Sequence, residues 1–338
     1  MTRALASAVA GLVCVAAAIA LLGYAPGPAL RALVAGSLLG PAAWTATLLK
    51  TAPLLLTGLA VALCFRCGVW NIGAEGQLLA GALAATALAT RGPVGAPAWL
   101  LGPAAILAGA LGGALFGAAA GLLRSLRGVS EVISTILLNF VAIHCVALAV
   151  QGPLREVAGA YPQSDALPIA AQLPALGRVH AGVLLALGLA LAVHWLLFHG
   201  SLGFRLRAVG LSPRAARFAG IAPERYGALA LALGGALAGL AGACEVAGVT
   251  RRLYEGLSPG YGYTAIAVAL LGRLHPLALI PSALFFGALE AGAGAMQREV
   301  GVPAEATKVV QAVVILLSTA LSVGRAGSRR ARAAEAAR

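Results

Sequence analysis

The stretch Asn71-Ile72-Gly73-Ala74-Glu75-Gly76-Gln77 sets one carboxylate and two amides, spaced by two glycines, between two strongly apolar runs. Polar groups moved from water into hydrocarbon without a partner cost roughly 2–7 kcal/mol, so such residues between apolar spans are functional candidates by default. If the segment breaks a helix beside a cavity, its backbone N–H and C=O groups are free to face a polar solute. The same residues also fit a tight turn followed by a capped helix start. A second polar set follows in Ser130-Glu131-Val132-Ile133-Ser134-Thr135 and Asn139. There Ser130 is expected to cap a helix, Glu131 to favour its positive end, and Ser134, Thr135 and Asn139 to share one face. Glu245, Glu290 and Gln311 are the polar counterparts in the second half. The expected solute pathway therefore comprises Asn71, Glu75, Gln77, Glu131, Asn139, Glu245, Glu290 and Gln311, each of which could instead bond a neighbouring helix. Trp70, Phe140, Tyr261 and Tyr263 are the aromatics that could stack on a base or sugar.

Other chemistries lack their residues. The only lysines are Lys50 and Lys308, and neither sits in a phosphate-binding glycine loop, so this chain holds no ATP through that motif. Asp165 is the single aspartate, which excludes an aspartate dyad. Cys64 and Cys67 have C-x-x-C spacing but no second ligand pair, so packing is the better reading and no metal site is expected. The formal charge of +13 is dispersed among connections and forms no clustered basic face, which argues against nucleic acid.

The elements that must position these groups are membrane helices. Of 338 residues, 60% are hydrophobic and only 10% charged, and roughly 20 apolar residues suffice to cross a bilayer. We expect an all-α polytopic protein forming one membrane domain over 1–338, with about ten spans: 4–24, 51–66, 75–90, 98–123, 131–151, 179–199, 226–247, 259–272, 276–296 and 306–323. The first run resembles a signal peptide, but no polar domain follows it and it is expected to remain as a helix. The uncharged run 32–49, interrupted by Pro41, is expected not to span. The arginines then favour cytoplasmic termini, an external loop at 152–178, a cytoplasmic loop at 200–225 and a basic cytoplasmic tail at 324–338. In the cytoplasmic loop, Leu211, Ala215, Phe218, Ala219 and Ile221 give an apolar side fit for a partner. Gly/Pro breaks before short apolar stretches recur in both halves, the pattern of an inverted repeat of five plus five spans.

Three motifs carry a family resemblance. Gly68-Val69-Trp70-Asn71-Ile72-Gly73-Ala74-Glu75-Gly76-Gln77, Gly128-Val129-Ser130-Glu131-Val132-Ile133-Ser134-Thr135-Ile136-Leu137-Leu138-Asn139-Phe140, and Arg207-Ala208-Val209-Gly210-Leu211 with Ala215-Ala216 and Ala219-Gly220-Ile221 resemble permeases of ABC importers. The likeness is to the branched-chain amino acid and simple-sugar superfamily, particularly its nucleoside-uptake branch, over about residues 45 to 323. It implies import of nucleosides or simple sugars across a cell (inner) membrane. It also implies a cytoplasmic ABC ATPase that binds ATP and Mg, a second, paralogous permease subunit, and an external solute-binding protein or lipoprotein. Arg207, Gly210, Ala215, Ala216, Gly220 and Ile221 are implied to couple to the ATPase, although Arg214 stands where many importers carry Glu. The alternative class is an ion-coupled secondary transporter or channel, which would want buried charge pairs that the glutamates supply only in part.

Overall fold

The computed structural model describes residues 23–92, 97–157, 159 and 161–303, with single positions at 13, 16, 17, 19–21, 308, 309 and 312. Most of the expected spans 4–24 and 306–323, the tail 324–338 and Gln311 lie outside the described residues. The helices are α1 Pro26–Leu38, α2 Pro41–Arg66, α3 Ala74–Arg91, α4 Ala98–Arg127, α5 Glu131–Gln151, α6 Gly182–His199, α7 Ser201–Leu211, α8 Pro213–Phe218, α9 Pro223–Glu245, α10 Tyr261–Leu271 and α11 Pro276–Val300. Six helices, built on α2, α4, α5, α6, α9 and α11, are long and apolar enough to cross a membrane among the described residues, and α10 is a shorter apolar helix.

The chain divides into two units, Met1–Lys50 with Phe285–Arg338, and Thr51–Leu284. In the first, Pro41 does not interrupt a run. It opens α2, where a fixed φ and a missing N–H suit a first helical turn. The turn before it is made by Gly40 at φ 95, and Thr47 Oγ1 donates to Ser37 O at 2.7 Å. The stretch 32–49 is thus helix on both sides of Gly40, the helix expected to begin at residue 51 begins at Pro41, and Lys50 lies inside it. Gly36 packs against Ala295, and Ile19, Ala29, Ala32, Met296 and Val302 form a small buried cluster.

The larger unit is organised on α4 and α9. Gly109, Gly113, Gly117 and Gly121 of α4 meet Gly239, Gly235, Leu231 and Ala228 of α9, in falling order, so the two helices run antiparallel with backbones in contact. Where lipid removes the hydrophobic drive for helix pairing, small residues permit this dispersion-rich approach. Helix α3 joins the same seam, with Gly81 against Gly239 and Gly242 against the Leu78 carbonyl.

The connection 152–181 is not a loose loop. Ser164 N–H donates to Leu253 O, Leu167 N–H to Arg251 O and Leu173 N–H to Ala247 O, at 2.8, 2.8 and 2.9 Å. It also holds the strands β1 Ala175–Leu176 and β2 Val179–His180, an antiparallel pair that departs from an all-helical chain. The helix expected from residue 179 accordingly starts at Gly182. Its ion pairs are Arg91 with Asp165 at 3.7 Å and Arg252 with Glu156 at 2.6 Å. The 200–225 segment is likewise ordered, as α7 and α8.

Candidate solute pathway

Helix α2 ends at Arg66, and Gly68 at φ 73 reverses the chain. The five residues that follow, 69–73, do not start a helix at once: Val69 and Asn71 enter the interior while Trp70 stays exposed. Asn71 and Gln77 form a reciprocal amide pair: Asn71 Nδ2 donates to Gln77 Oε1 at 3.0 Å, and Gln77 Nε2 to Asn71 Oδ1 at 3.2 Å. Asn71 Oδ1 also accepts the Gly73 N–H at 3.0 Å. From α5, Asn139 Nδ2 donates to Ile72 O at 3.0 Å while its Oδ1 accepts the Gly76 N–H at 2.8 Å. The Ile72 N–H reaches Thr135 Oγ1 at 3.3 Å. These amides replace the helical partners that the broken segment lacks, as buried backbone groups require.

Asn71 and Asn139 are fully buried and Gln77 is nearly so, and all three bond and shape the segment. Glu75 stands differently. Its Oε2 accepts the N–H of Gly262, in the first turn of α10, at 2.7 Å. A Cβ on Gly262 would collide with the Glu75 backbone, so only glycine lets the two helix starts approach this closely. Both N-termini carry partial positive charge, and the carboxylate between them offsets it. Tyr263, half exposed, receives Asn139 Nδ2 on its hydroxyl at 3.4 Å.

Beside this junction lies a cavity of about 220 Å³ lined by Glu75 and Leu79 of α3, Ile143, Val146 and Ala147 of α5, and Glu255, Gly256 and Ser258 before α10. Two carboxylates face aliphatic walls, with no basic side chain in the lining. Such walls accept hydrogen bonds from hydroxyl or amino groups and repel anions. Glu255 accepts Gln151 Nε2 at 2.6 Å, which ties the cavity rim to the end of α5. Ser258 Oγ accepts the Gly260 and Tyr261 N–H groups at 3.2 and 3.1 Å, capping the start of α10.

The other expected residues are placed elsewhere. Glu131 pairs with Arg124 at 3.2 Å across the α4–α5 corner, and Ser130 makes no capping bond. The corner itself is a left-handed Gly128 at φ 66 that closes α4. Glu245, buried, ends α9 where the helix widens into a π turn over Val246–Thr250. Glu290 is half-buried on α11 in the terminal unit. Sequence reading missed Glu255, Ser258 and Gly262. The first two sit in a polar connection with no motif, and the third contributes only its backbone.

Of the expected coupling residues, Arg207 and Gly210 lie on α7, Ala215 and Ala216 on α8, and Gly220 and Ile221 in the turn after it. Gly210 packs directly on the Arg66 carbonyl, so α7 seats on the end of α2. Ser212 caps α8 by accepting the Ala215 N–H at 3.3 Å, and Pro213 occupies its first turn. Ala216 is buried, Ile221 N–H returns to Ala216 O at 2.9 Å, and Gly220 takes φ 78. Arg217 pairs with Glu224. Leu211 and Phe218 are 88% and 95% exposed, an apolar surface that nothing among the described residues covers. Arg207 instead turns toward Phe198, with its guanidinium carbon 5.1 Å from the ring centre.

Residues 43–319 match the family described as branched-chain amino acid transport system / permease component. The chain is 39% identical over 285 residues to the glucose ABC transporter permease protein TsgB13 of Haloferax volcanii, covering 80% of this chain and 74% of that one. It is 37% identical over 277 residues to the guanosine ABC transporter permease protein NupP of Bacillus subtilis, covering 80% and 79%. To the nucleoside ABC transporter permease protein NupB of Lactococcus lactis it is 33% identical over 282 residues, covering 80% and 77%.

Proposed function

This chain belongs to the family of branched-chain amino acid transport system permease components, and we propose that, as the multi-pass membrane subunit of an ABC importer, it passes uncharged nucleosides or simple sugars. The observation that carries the solute class is the cavity at the Glu75–Gly262 junction, where Glu75 and Glu255 offer acceptors to hydroxyl-rich solutes and the lining residues include no cation to compensate a phosphate. Its volume of about 220 Å³ lies below the roughly 300 Å³ at which drug-sized sites begin. A cavity of that size suits transient contact with one ring at a time. A tight site would hold the solute and slow its release.

Energy comes from a separate ATPase subunit that binds ATP and Mg, contacted by α8 on the cytoplasmic side. Both termini are then cytoplasmic and the 152–181 connection faces an external solute-binding protein or lipoprotein in the cell (inner) membrane. Ten spans in an inverted repeat fit this reading. Helices α3 and α10 start nose to nose at Glu75 and Gly262, and the proline-bearing helices α4 and α11 each end on a left-handed glycine, Gly128 and Gly301. A second, paralogous permease is supported by the two guanosine permease proteins of Bacillus subtilis, NupP and NupQ, both of which resemble this chain. ATP-driven closure of the ATPase would move α8 and tilt the helices between outward- and inward-open states, each state favoured by its differential contacts.

The test is uptake of radiolabelled guanosine, glucose and guanosine monophosphate by proteoliposomes holding the full complex. ATP-dependent accumulation of guanosine or glucose, without the monophosphate, is the expected result. Accumulation that persists without the ATPase would overturn the coupling and favour an ion gradient.

A further inference from the structure

Four basic side chains surround one phenyl ring, and a fifth adjoins them, at the junction of α2, α6, α7 and the α10–α11 connection. The Arg66 and Arg207 guanidinium carbons lie over the Phe198 ring, 5.4 and 5.1 Å from its centre. His275 stacks on the same ring at 5.1 Å and 28°. His194 is 5.1 Å from Phe198, 5.1 Å from His275 and 5.8 Å from His199, between ring centres. Among the described residues no carboxylate forms an ion pair with any of the five. Two of their nitrogens, Arg207 Nε and His194 Nδ1, are shielded from solvent and without a hydrogen-bond partner.

An aromatic face steadies one cation through its quadrupole, but it does not neutralise a group of them. The electrostatic strain registers on His275, held below the usual histidine range by burial first and by His194 and Arg66 after it. Arg66 is fixed in place by a second duty. Its Nε donates to Leu274 O at 3.0 Å and its terminal nitrogen to Arg273 O at 3.5 Å, across two consecutive left-handed residues, φ 51 and 56. Guanidinium forks and imidazole N–H donors arranged without a counter-charge are the donor set that binds phosphate oxygens.

We propose that this cluster is a phosphate-binding site, and that the phosphate is the headgroup diester of an anionic phospholipid. The place favours that source over a free ion. Helices α2 and α6 end here and α11 begins here, so the cluster stands where membrane helices meet the headgroup layer, and anionic leaflets attract basic groups at that level. A bound headgroup would brace α7 against the end of α2, directly behind α8.

The intact transporter, extracted in detergent, is tested by native mass spectrometry after addition of phosphatidylglycerol or phosphatidylcholine, with and without 10-fold excess inorganic phosphate. Phosphatidylglycerol adducts on this chain should exceed phosphatidylcholine adducts at least fivefold and persist in phosphate. Arg207→Gln and the solvent-side His199→Gln should each lower that ratio, while Arg205→Gln, whose side chain bonds Tyr226 at 2.8 Å, should not. Each variant's complex is first checked for unchanged subunit composition, and His199→Gln keeps the test alive if Arg207→Gln fails to assemble. Equal retention of both lipids, or ratios unchanged in His199→Gln and in any assembled Arg207→Gln complex, would overturn the site. Displacement by inorganic phosphate would overturn the lipid source and assign the cluster to a free anion.

Discussion

Glu75 Oε2 accepts the Gly262 N–H at 2.7 Å, joining residues 187 positions apart at the first turns of α3 and α10. The bond gives one carboxylate two duties. It satisfies a buried backbone donor, and its charge faces the cavity that we assign to solute. Substitution separates the two. Glu75→Ala orphans the Gly262 N–H, which carries a penalty of about 1–3 kcal/mol. Glu75→Gln retains an acceptor of the same length and removes the charge. We expect thermal unfolding of the alanine variant several degrees below wild type, the glutamine variant close to wild type, and ATP-dependent uptake reduced in both. Wild-type uptake in Glu75→Gln would limit the residue to its structural duty.

The seam of α4 and α9 leaves no room for a side chain. A Cβ at Gly113 would strike the Gly235 carbonyl and the Gly239 backbone. Gly113→Leu must therefore push the helices apart, which disrupts α3 as well, since Gly81 meets the same Gly239. The variant should lose most of its folded yield in a size-exclusion profile. Gly188→Leu, on α6 where a Cβ meets nothing within 4 Å, should behave as wild type.

The sequence made the polar break at 71–77 legible because amides and a carboxylate cannot sit idle between apolar spans. Asn139 was legible for the same reason, at the middle of a clean apolar helix. What their types could not reveal is the division of labour. Asn71 and Gln77 satisfy each other and Asn139 satisfies the broken backbone, whereas Glu75 alone among the four lines the cavity. Gly262 was beyond reach because its function lies in a backbone N–H and a missing Cβ. Pro41 misled because proline both ends helices and opens them, and the left-handed Gly40 before it decides which. Glu131 looked like a pathway carboxylate from its place at a helix start, yet Arg124, one helix back, claims it.

Helix α8 projects an apolar surface whose orientation depends on Gly220. Its φ of 78 puts it in the left-handed region, and a Cβ there would meet open space. A β-branched replacement is therefore opposed by backbone strain of about 1–2 kcal/mol and by no clash. Gly220→Val should weaken copurification of the ATPase, Gly220→Asn should weaken it less, and deletion of 212–220 should abolish it while membrane insertion continues. Pull-down of the ATPase with tagged permease measures all three. Full recovery with the deletion variant would show that α8 is not the docking element.

The opposite end carries a pH-sensitive lock. Arg252 and Gln163 both bond the Glu156 carboxylate, at 2.6 and 2.9 Å, and the Arg252 hydrogen bond, followed by that of Gln163, holds it below the usual glutamate range. A carboxyl group whose pKa is depressed in the folded state stabilises that state above its unfolded value, about 4.3, and the contribution disappears as pH falls through the lower folded value. Backbone amides of the 155–167 segment should therefore keep their hydrogen-exchange protection, corrected for intrinsic rates, from neutral pH to about pH 4.3 and lose it progressively below. Arg252→Gln removes the larger cause of the depression. In that variant protection should be lower at neutral pH and should change little on acidification. The pair is only partly buried, so high salt is a further probe: roughly 1 M salt shortens the screening length to about 3 Å and should loosen the wild-type segment toward the variant. Protection that stays flat in wild type down to about pH 3 would mean that the backbone bonds from Ser164 and Leu167 to Leu253 and Arg251 hold the segment without the ion pair.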